Sequence, residues 1–517
     1  MPVQPVRNVG AAGIIRDIPS VLLPASAWSD GRNVKFDNDN VSKRLGYAEE
    51  FSTATEPQLV QYWPRPITPF YITANGDTVQ RRDASGNTTS LVPSGTIFNN
   101  SATWRSSLYN GGYTVLMNNG VDAPQYITYG LDGTPDQISL QPLPDWPSTL
   151  SAQVVVGHQY AMVAGNLTDR SGTFVSYQPG TVRISAQAAP GAVPSSWTIG
   201  EELLTTADEF EIANSGTILD MVSLRGRVIV FTDNSIHAIT LPAPARPTRV
   251  DDLNDTNGVL TTGCAVEFDG KILVVDRNDI YVTSGTGSIK SVIDHKNRDY
   301  FFNQRLNTTL YEATFIARNP AQDEIWICYP SVDQTVAKCD EALVWNYRNN
   351  TWTTYDLPNA RSATLGPRIE NNAFAGGAEY LMMTGYPSSS QRAVSNSIHR
   401  MDTTNQFNGE NFNAFVERKV LDMQDSSRAK WVAEIYPLME GTGSVDITMQ
   451  GTANAGEVVD LASNARGVKR QTFNIETGYK VDNRVNGRYL NLRLSSNSND
   501  NWIFAGYSFD YSPSNKR

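Results

Sequence analysis

The sequence contains little cysteine. Only Cys264, Cys328 and Cys339 occur among 517 residues. A count this sparse and odd excludes a disulfide scaffold, and the three positions lack the paired spacing of a structural zinc site. We therefore expect a chain that folds in a reducing cytosol and uses neither a metal nor a cofactor.

Long apolar runs are also missing. No stretch approaches the roughly 18 consecutive apolar residues that a membrane-spanning helix needs. The first residues, MPVQPVRNVGAAGIIRDIP, lack the apolar core of a secretory signal. We expect no membrane span, and we expect the chain to leave a cell only by lysis or as part of a particle.

The chain has no surplus of positive charge. Lysine and arginine number 42 against 53 aspartates and glutamates, a net charge of −11. A protein that grips nucleic acid by neutralising phosphates needs the opposite balance. Both ends of the chain are nearly neutral, so the acidity belongs to the middle. One local excess of cations, in residues 466–493, is either a surface for an acidic partner or a solvated strand face.

Apolar residues at helical spacing do not persist anywhere in the chain. Short apolar runs bounded by Gly, Asn, Asp and Pro recur instead, and 22 tyrosines and 10 tryptophans favour a folded, β-rich protein. The recurring unit is an apolar strand, a polar turn and a second strand. Seven such units are found, at residues 70–82, 113–128, 159–177, 227–240, 271–283, 323–355 and 379–402.

Units of a few strands that recur at intervals of roughly 50 residues are typical of propeller blades, which bury their faces against their neighbours. The sequence thus predicts an all-β fold, a β-propeller of six or seven blades with an additional antiparallel β platform domain. Stacked β-sandwiches are the alternative. We expect an N-terminal platform segment at 1–50, the propeller at 51–402 and a C-terminal antiparallel domain, packed with the platform, at 403–517.

Patterns that carry chemistry are weak. The four histidines are far apart, and no HExxH motif or nearby cysteine pair is present. GTGSIKS (285–291) lacks the glycine before lysine that a phosphate loop requires, and DDLNDTNG (251–258) departs from a calcium loop. YRNNTWTTY (347–355) only partly matches the repeated turn motif of propeller glycosidases. We interpret the first as a hairpin tip, the second as a solvated loop and the third as a strand–turn–strand corner, and we assign no catalytic, cofactor-binding or metal-binding residue.

The N-terminal stretch LLPASAWSDGRNVKFDNDNVSKRLGY (22–47) resembles the signature of the tail nozzle family of short-tailed bacteriophages, also called tail tubular or DNA stabilisation proteins. Three further stretches are similar to the same family, at 278–302, 317–358 and 486–517. The matches run from near the first residue to the last, although residues 50–220 carry little that is diagnostic.

The resemblance implies a non-enzymatic structural protein of the virion tail, assembled in the cytoplasm of a bacterial host. Six copies would form a ring that docks on the tail adaptor, closes the DNA exit channel and conducts double-stranded DNA during ejection without reading its sequence. Tail fibres or tailspikes are further candidate partners. A glycan-binding or glycan-hydrolysing propeller protein of the tail is the main alternative, and an adhesin unrelated to phages is a third.

Within the N-terminal stretch, five residues are candidates for docking on a partner subunit. Aromatic and arginine side chains are enriched at interface anchors, and Ser29-Asp30-Gly31 supplies turn chemistry beside them. The alternative is that Trp28, Val34 and Phe36 pack on this chain's own core. The candidate docking residues are Trp28, Arg32, Lys35, Lys43 and Arg44.

Overall fold

A computed structural model describes residues 3–64, 69–130, 137–200, 206–213, 215–241, 248–386, 396–423, 425–463 and 467–513. Within these ranges the helical segments are short turns, and none has the length and apolarity to cross a bilayer. They are 3₁₀ turns at Ser20–Leu22, Asn110–Gly112, Tyr311–Ala313 and Pro320–Gln322, and a π-helical turn at Tyr300–Arg305.

Seven strands precede the first blade. They are β1 (Val3–Arg7), β2 (Gly13–Ile14), β3 (Ala27–Trp28), β4 (Asp30–Arg32), β5 (Val34–Asp37), β6 (Asn40–Lys43) and β7 (Gly46–Ser52).

The next 24 strands form six antiparallel sheets of four strands in chain order. Blade 1 is β8 (Leu59–Trp63), β9 (Phe70–Asn75), β10 (Thr78–Arg82) and β11 (Thr88–Ser90); blade 2 is β12 (Arg105–Tyr109), β13 (Thr114–Asn118), β14 (Gln125–Thr128) and β15 (Gln141–Pro142); blade 3 is β16 (Leu150–His158), β17 (Ala161–Asp169), β18 (Ser176–Ile184) and β19 (Asp208–Glu211). Blade 4 is β20 (Ile218–Leu224), β21 (Arg227–Thr232), β22 (Ile236–Thr240) and β23 (Arg249–Asn254); blade 5 is β24 (Ala265–Phe268), β25 (Lys271–Val275), β26 (Ile280–Thr283) and β27 (Ile289–Ser291); blade 6 is β28 (Phe315–Asn319), β29 (Glu324–Tyr329), β30 (Cys339–Asn346) and β31 (Thr351–Ala360).

Blade 7 closes the ring with a strand from the start of the chain. It contains β32 (Ala363–Gly366), β35 (Tyr380–Gly385) and β36 (Ser397–Thr404), and a small hairpin of β33 (Ile369–Glu370) and β34 (Ala373–Phe374) interrupts it. Its outer strand is β7, which pairs with β36. The first strand of each blade contacts the first strand of the next, and β32 contacts β8. The described residues therefore form a closed seven-bladed propeller.

Burial explains why the sequence repeats as it does. Middle strands such as β13 and β29 are buried on both faces because each blade is covered by its two neighbours. Each of the seven predicted strand-turn-strand units supplies the middle strands of one blade. The propeller prediction is confirmed, and the alternative of stacked sandwiches is wrong for this part of the chain.

The last strands are β37 (Ala414–Leu421), β38 (Lys430–Gly441), β39 (Ser444–Thr452), β40 (Lys469–Asn474), β41 (Val481–Gly487), β42 (Tyr489–Ser496) and β43 (Trp502–Pro513). They form two antiparallel sheets together with N-terminal strands: β41-β38-β43-β6-β5 with β1 beside β43, and β4-β37-β42-β39-β40. We call these two sheets the platform. Both ends of the chain therefore build one β unit.

The platform is attached to the outer strand of blade 6. Outer strands elsewhere, such as β11 and β23, are exposed or half-buried, but all ten residues of β31 are buried. The N-terminal backbone covers this strand: Asn33 N–H donates to Thr354 O at 2.9 Å, and Thr353 Oγ1 donates to Val34 O at 2.8 Å. One continuous apolar core joins blades 6 and 7 to the platform.

Candidate functional site

The stretch from residue 8 to residue 47, which carries the docking candidates, lies between blade 6 and the platform. We call it the junction segment. Trp28 is 2% exposed and donates from Nε1 to Val9 O at 2.6 Å. Its ring packs near Phe504 of the platform. Trp28, Val34 and Phe36 are all buried in this chain's own core, as the alternative interpretation of these residues holds.

Asn33 connects the junction segment to β31. It adopts a left-handed backbone conformation with φ of 58°, which asparagine tolerates better than most residues. Its Nδ2 donates to Asp356 Oδ2 at 3.0 Å, and Asp356 N–H donates back to its Oδ1 at 3.0 Å. The buried amide thus holds a carboxylate in place for the neighbouring arginine.

Arg32 is ion-paired to two carboxylates of blade 6. Its Nη2 lies 2.6 Å from Glu341 Oε1, and its Nε donates to Asp356 Oδ1. Glu341, 2% exposed, also accepts from Arg305 and from the Tyr329 hydroxyl at 2.8 Å. Burial lowers the pKa of Arg32, but the two carboxylates outweigh it and raise that pKa above its usual value. Arg32 therefore stays charged.

Arg44 is fully buried between blades 6 and 7. It makes a two-pronged ion pair with Glu324, in which Nη1 lies 2.9 Å from Oε2 and Nη2 donates to Oε1. Asp402 lies 3.7 Å from Nη1, and burial raises the pKa of this carboxyl group. Trp326 Nε1 donates to Glu324 Oε2 at 3.0 Å, so the carboxylate is held from a second side.

The two lysines differ. Lys43 is 2% exposed, and its ammonium group donates to three backbone carbonyls, those of Asn405, Ser498 and Asp500. Burial lowers the pKa of Lys43 to about 8, although the charge of Asp500 opposes this shift. Lys35 is half-buried and lines an open groove.

These placements divide the five docking candidates. Trp28, Lys43 and Arg44 are buried by this chain, where they hold the junction segment, while Lys35 and about a third of Arg32 reach the surface. Docking on a partner subunit stays a prediction. Among the five candidates, Arg32 and Lys35 are the ones whose side chains reach the surface.

The sequence analysis missed several residues of this network. Arg16 pairs with Asp30 at 2.7 Å and lies over the Tyr300 ring at 4.0 Å. Glu324 and Glu341 were also missed, yet each directly precedes the apolar run of a predicted strand. Acidic residues are almost never fully buried unless they are paired, so a carboxylate next to such a run indicates a buried cation partner. The identity of that cation is set by the tertiary structure.

A Ser-His-Asp arrangement in blade 4 also escaped the sequence analysis. Ser235 Oγ lies 2.8 Å from His237 Nε2, and His237 Nδ1 lies 2.8 Å from Asp252 Oδ1. Ser235 is only 4% exposed, however, and its hydroxyl also contacts Thr232 Oγ1 at 2.7 Å. The geometry is that of a relay, but the serine is packed inside the blade rather than exposed to solvent.

The same tetrapeptide, Asn-Ser-Ile-His, recurs at residues 396–399 in blade 7. There Ser397 Oγ lies 2.9 Å from His399 Nε2, and His399 packs edge-on against Tyr47. Burial lowers the pKa of His399 to about 4, which keeps it neutral. The Ser-His pair thus lies at the start of the third strand in both blades and is buried in each.

The groove lined by Lys35 has a volume of about 360 Å³. It lies at one end of blade 6, against the β5–β6 hairpin, and four carboxylates line it: Asp37, Asp39, Asp323 and Glu324. Glu324 is bound by Arg44, and Asp323 pairs with Arg348. The glycan alternative requires a pocket at the propeller's centre, and this groove lies elsewhere.

The three remaining sequence patterns each contain a turn, but the first four residues of 251–258, expected as a loop, belong to β23. Residues 284–288 connect the paired strands β26 and β27, and residues 347–350 connect β30 and β31. In the 251–258 stretch, Asn254 Oδ1 accepts from the backbone N–H groups of Thr256 and Asn257. A search of the described residues found no group of three or more metal-ligating side chains.

The cation-rich region of the platform is partly neutralised. Arg493 is buried and pairs with Glu417 at 2.9 Å, and Lys480 pairs with Glu434. Lys469 and Arg470 are exposed on the edge strand β40. Arg466 lies outside the described residues.

No family model and no curated protein matches the chain. Two of the solved structures similar to it are virginiamycin B lyase from Staphylococcus aureus (12% identity, TM-score 0.38) and the WD40 repeats of RRP9 (7% identity, TM-score 0.39). Each match covers 70% of this chain and 99% of the other. Likeness at this level carries no argument about activity, and the strand pairing described above defines the propeller by itself.

Proposed function

We propose that this chain is a structural subunit of a short phage tail, the tail nozzle, and that it acts without catalysis. Six copies form a ring at the distal end of the tail, which docks on the adaptor ring, retains the packaged genome and conducts it on infection. The proposal rests on the four stretches that resemble the nozzle family. It rests also on the position of the N-terminal and C-terminal stretches in the platform.

The observation that carries the proposal is the junction. The N-terminal stretch of the resemblance and the C-terminal stretch, as far as residue 513, lie in the same two sheets, and β31 of the third stretch is buried beneath them. Buried ion pairs fix this arrangement through Arg32 and Arg44. A subunit that transmits force between a ring-forming part and a propeller needs such a rigid connection.

The charge of the chain suits a conduit. Double-stranded DNA carries one negative charge per roughly 1.7 Å of its axis, so a wall rich in lysine and arginine would retain it. A six-membered ring multiplies the net charge of −11 of each subunit, and an acidic or neutral wall lets DNA slide. Loops that project into the lumen would then close the DNA channel. A change in the ordering or the position of these loops would open it.

A mass measurement of the full chain in solution, alone and with the purified adaptor ring, tests the proposal. A six-membered ring, formed alone or on the adaptor, is the expected result. Virions assembled without this chain are expected to lose their DNA. A chain that stays monomeric in both conditions and cleaves host polysaccharide would overturn the proposal in favour of the glycan alternative.

A further inference from the structure

The hairpin between β17 and β18 protrudes from blade 3. The two strands pair as far as Asp169 and Ser176, and residues 170–177 are all exposed. We call residues 169–178 the tip hairpin. Phe174 is 87% exposed, Tyr177 75% and Val175 45%. Exposed apolar side chains that cluster in one short segment indicate a surface that contacts something apolar.

The end of the tip hairpin carries no charge. Residues 171–182 contain no Asp, Glu, Lys or Arg, although 18% of the chain is charged. Of the two charged residues at its base, Arg170 bonds to the body of the protein and Asp169 bonds to the hairpin itself. Asp169 accepts the Ser171 N–H at 2.8 Å, and Arg170 Nη1 donates to Ser151 Oγ at 2.8 Å and to Val121 O at 3.1 Å. Beyond Arg170, residues 171–178 therefore present only apolar and uncharged polar groups.

Neighbouring loops extend this surface. Arg170 joins the tip hairpin to the loop of blade 2 that carries Val121, which is 37% exposed. In the same loop, Asp122 Oδ2 accepts a hydrogen bond from the Asn99 N–H at 2.9 Å. Asn99 lies two residues after Ile97, which is 87% exposed. Exposed apolar side chains thus lie in three loop regions that hydrogen bonds connect.

The position of blade 3 is the second argument. Blades 2 and 3 are each three blades away from blade 6, which carries the platform, so they lie on the opposite side of the ring. The tip hairpin is therefore at the end of the subunit remote from the platform.

We propose that the tip hairpin is a lipid-binding element that places Phe174, Val175 and Tyr177 in the interfacial layer of a bilayer. Aromatic side chains favour that layer because they are apolar with, for tyrosine, a polar end. An uncharged tip enters a medium of low dielectric constant without the cost of burying a charge. The inference goes beyond the nozzle function, and only the stronger binding from a ring rests on that proposal.

A single hairpin of this size binds a membrane weakly and reversibly, as a single lipid anchor does. Several copies held in one assembly bind far more strongly, because each further contact is intramolecular. The same hairpin would therefore stay in water on a free subunit and bind firmly from a ring.

A labelled variant of the full chain, Val175→Cys, tests the insertion. The three native cysteines are buried, so a polarity-sensitive dye reacts at position 175. With vesicles of phosphatidylcholine the emission is expected to shift to the blue, and adding phosphatidylglycerol is expected to change binding little. A shift seen without lipid that grows with protein concentration would identify a second copy as the occupant and overturn the proposal. Binding that requires the anionic lipid would also overturn it.

Vesicle flotation with a matched pair of variants provides the second test. Phe174→Ser with Tyr177→Ser is expected to weaken binding at least ~10-fold, from the transfer free energy of the two side chains. The control, Val458→Ser with Tyr479→Ser, changes equally exposed residues of the platform and is expected to leave binding unchanged. All four positions are exposed, so neither variant should alter the melting temperature. Equal effects of the two pairs, or none from the first, would refute the proposal.

Discussion

Replacing Arg44 by methionine is expected to destabilise the folded chain by about 3–5 kcal/mol, the usual cost of breaking a buried ion pair from one side. Methionine preserves much of the apolar stem but leaves Glu324 and Asp402 buried without their cation. Removing both charges at once, as Arg44→Met with Glu324→Met, is expected to cost much less than the sum of the single changes.

Urea unfolding followed by tryptophan fluorescence measures these differences, and hydrogen exchange of β29 and β36 shows whether the loss is local. Arg348→Met is the matched control. Arg348 pairs with Asp323, next in sequence to Glu324, but its side chain is 72% exposed, and an exposed pair contributes little to stability.

The effect of Arg44→Met also depends on pH. Burial already raises the pKa of Asp402, and losing the arginine raises it further. Between its unfolded pKa and its raised folded pKa, such an acid is protonated in the folded chain but ionised in the unfolded chain. The free energy of unfolding therefore falls as the pH rises between those two pKa values. The variant is therefore expected to be less destabilised near pH 5 than near pH 8. A cost as small as that of Arg348→Met, or strictly additive single changes, would refute this account of the junction.

Three further outcomes are expected. Asn33→Ala strains the backbone at φ 58° and leaves Asp356 short of a donor, so a loss of about 2–4 kcal/mol is expected in urea unfolding; Asn33→Gly removes the strain and should lose less. His399 has a pKa of about 4 when folded against about 6.5 when unfolded, so stability should fall by roughly 3 kcal/mol as pH drops from 6.5 to 4. This slope is expected to disappear in His399→Gln, and its persistence in that variant would contradict the assignment. The thiols of Cys264, Cys328 and Cys339 are fully buried, and burial raises their pKa values. A thiol reagent is therefore expected to modify none of them in the native chain and all three in urea. Fast labelling of the native chain would show instead that these blades open.

Much of the propeller could be predicted from the sequence because blades are locally encoded. In a stretch such as KILVVDRNDIYVT (271–283), the apolar runs and the turn residues between them are contiguous, and they become β25 and β26. The strand that closes blade 7 could not be predicted in this way. β7 lies more than 300 residues before its partner β36 and crosses the domain boundary expected at residue 50.

The candidate site was only partly predictable. The dense turn and aromatic residues at 22–47 pointed to a special segment, but their type could not separate a docking surface from an internal junction. Trp28 and Arg44 satisfy either description, since aromatic and arginine side chains serve both interfaces and cores. The structure buries both side chains within this chain, and docking on a partner subunit stays a prediction.

By itself, the sequence determined the class of fold, the repeated unit and the near absence of catalytic patterns, because alternation of apolar residues and turn chemistry act over a few neighbouring positions. The tertiary structure alone decided that Arg44 meets Glu324, 280 positions away, that the serine of a Ser-His-Asp arrangement is sealed inside a blade, and that both chain ends build one platform. Such contacts depend on how distant segments are brought together when the whole core closes, and no local pattern of residues records that.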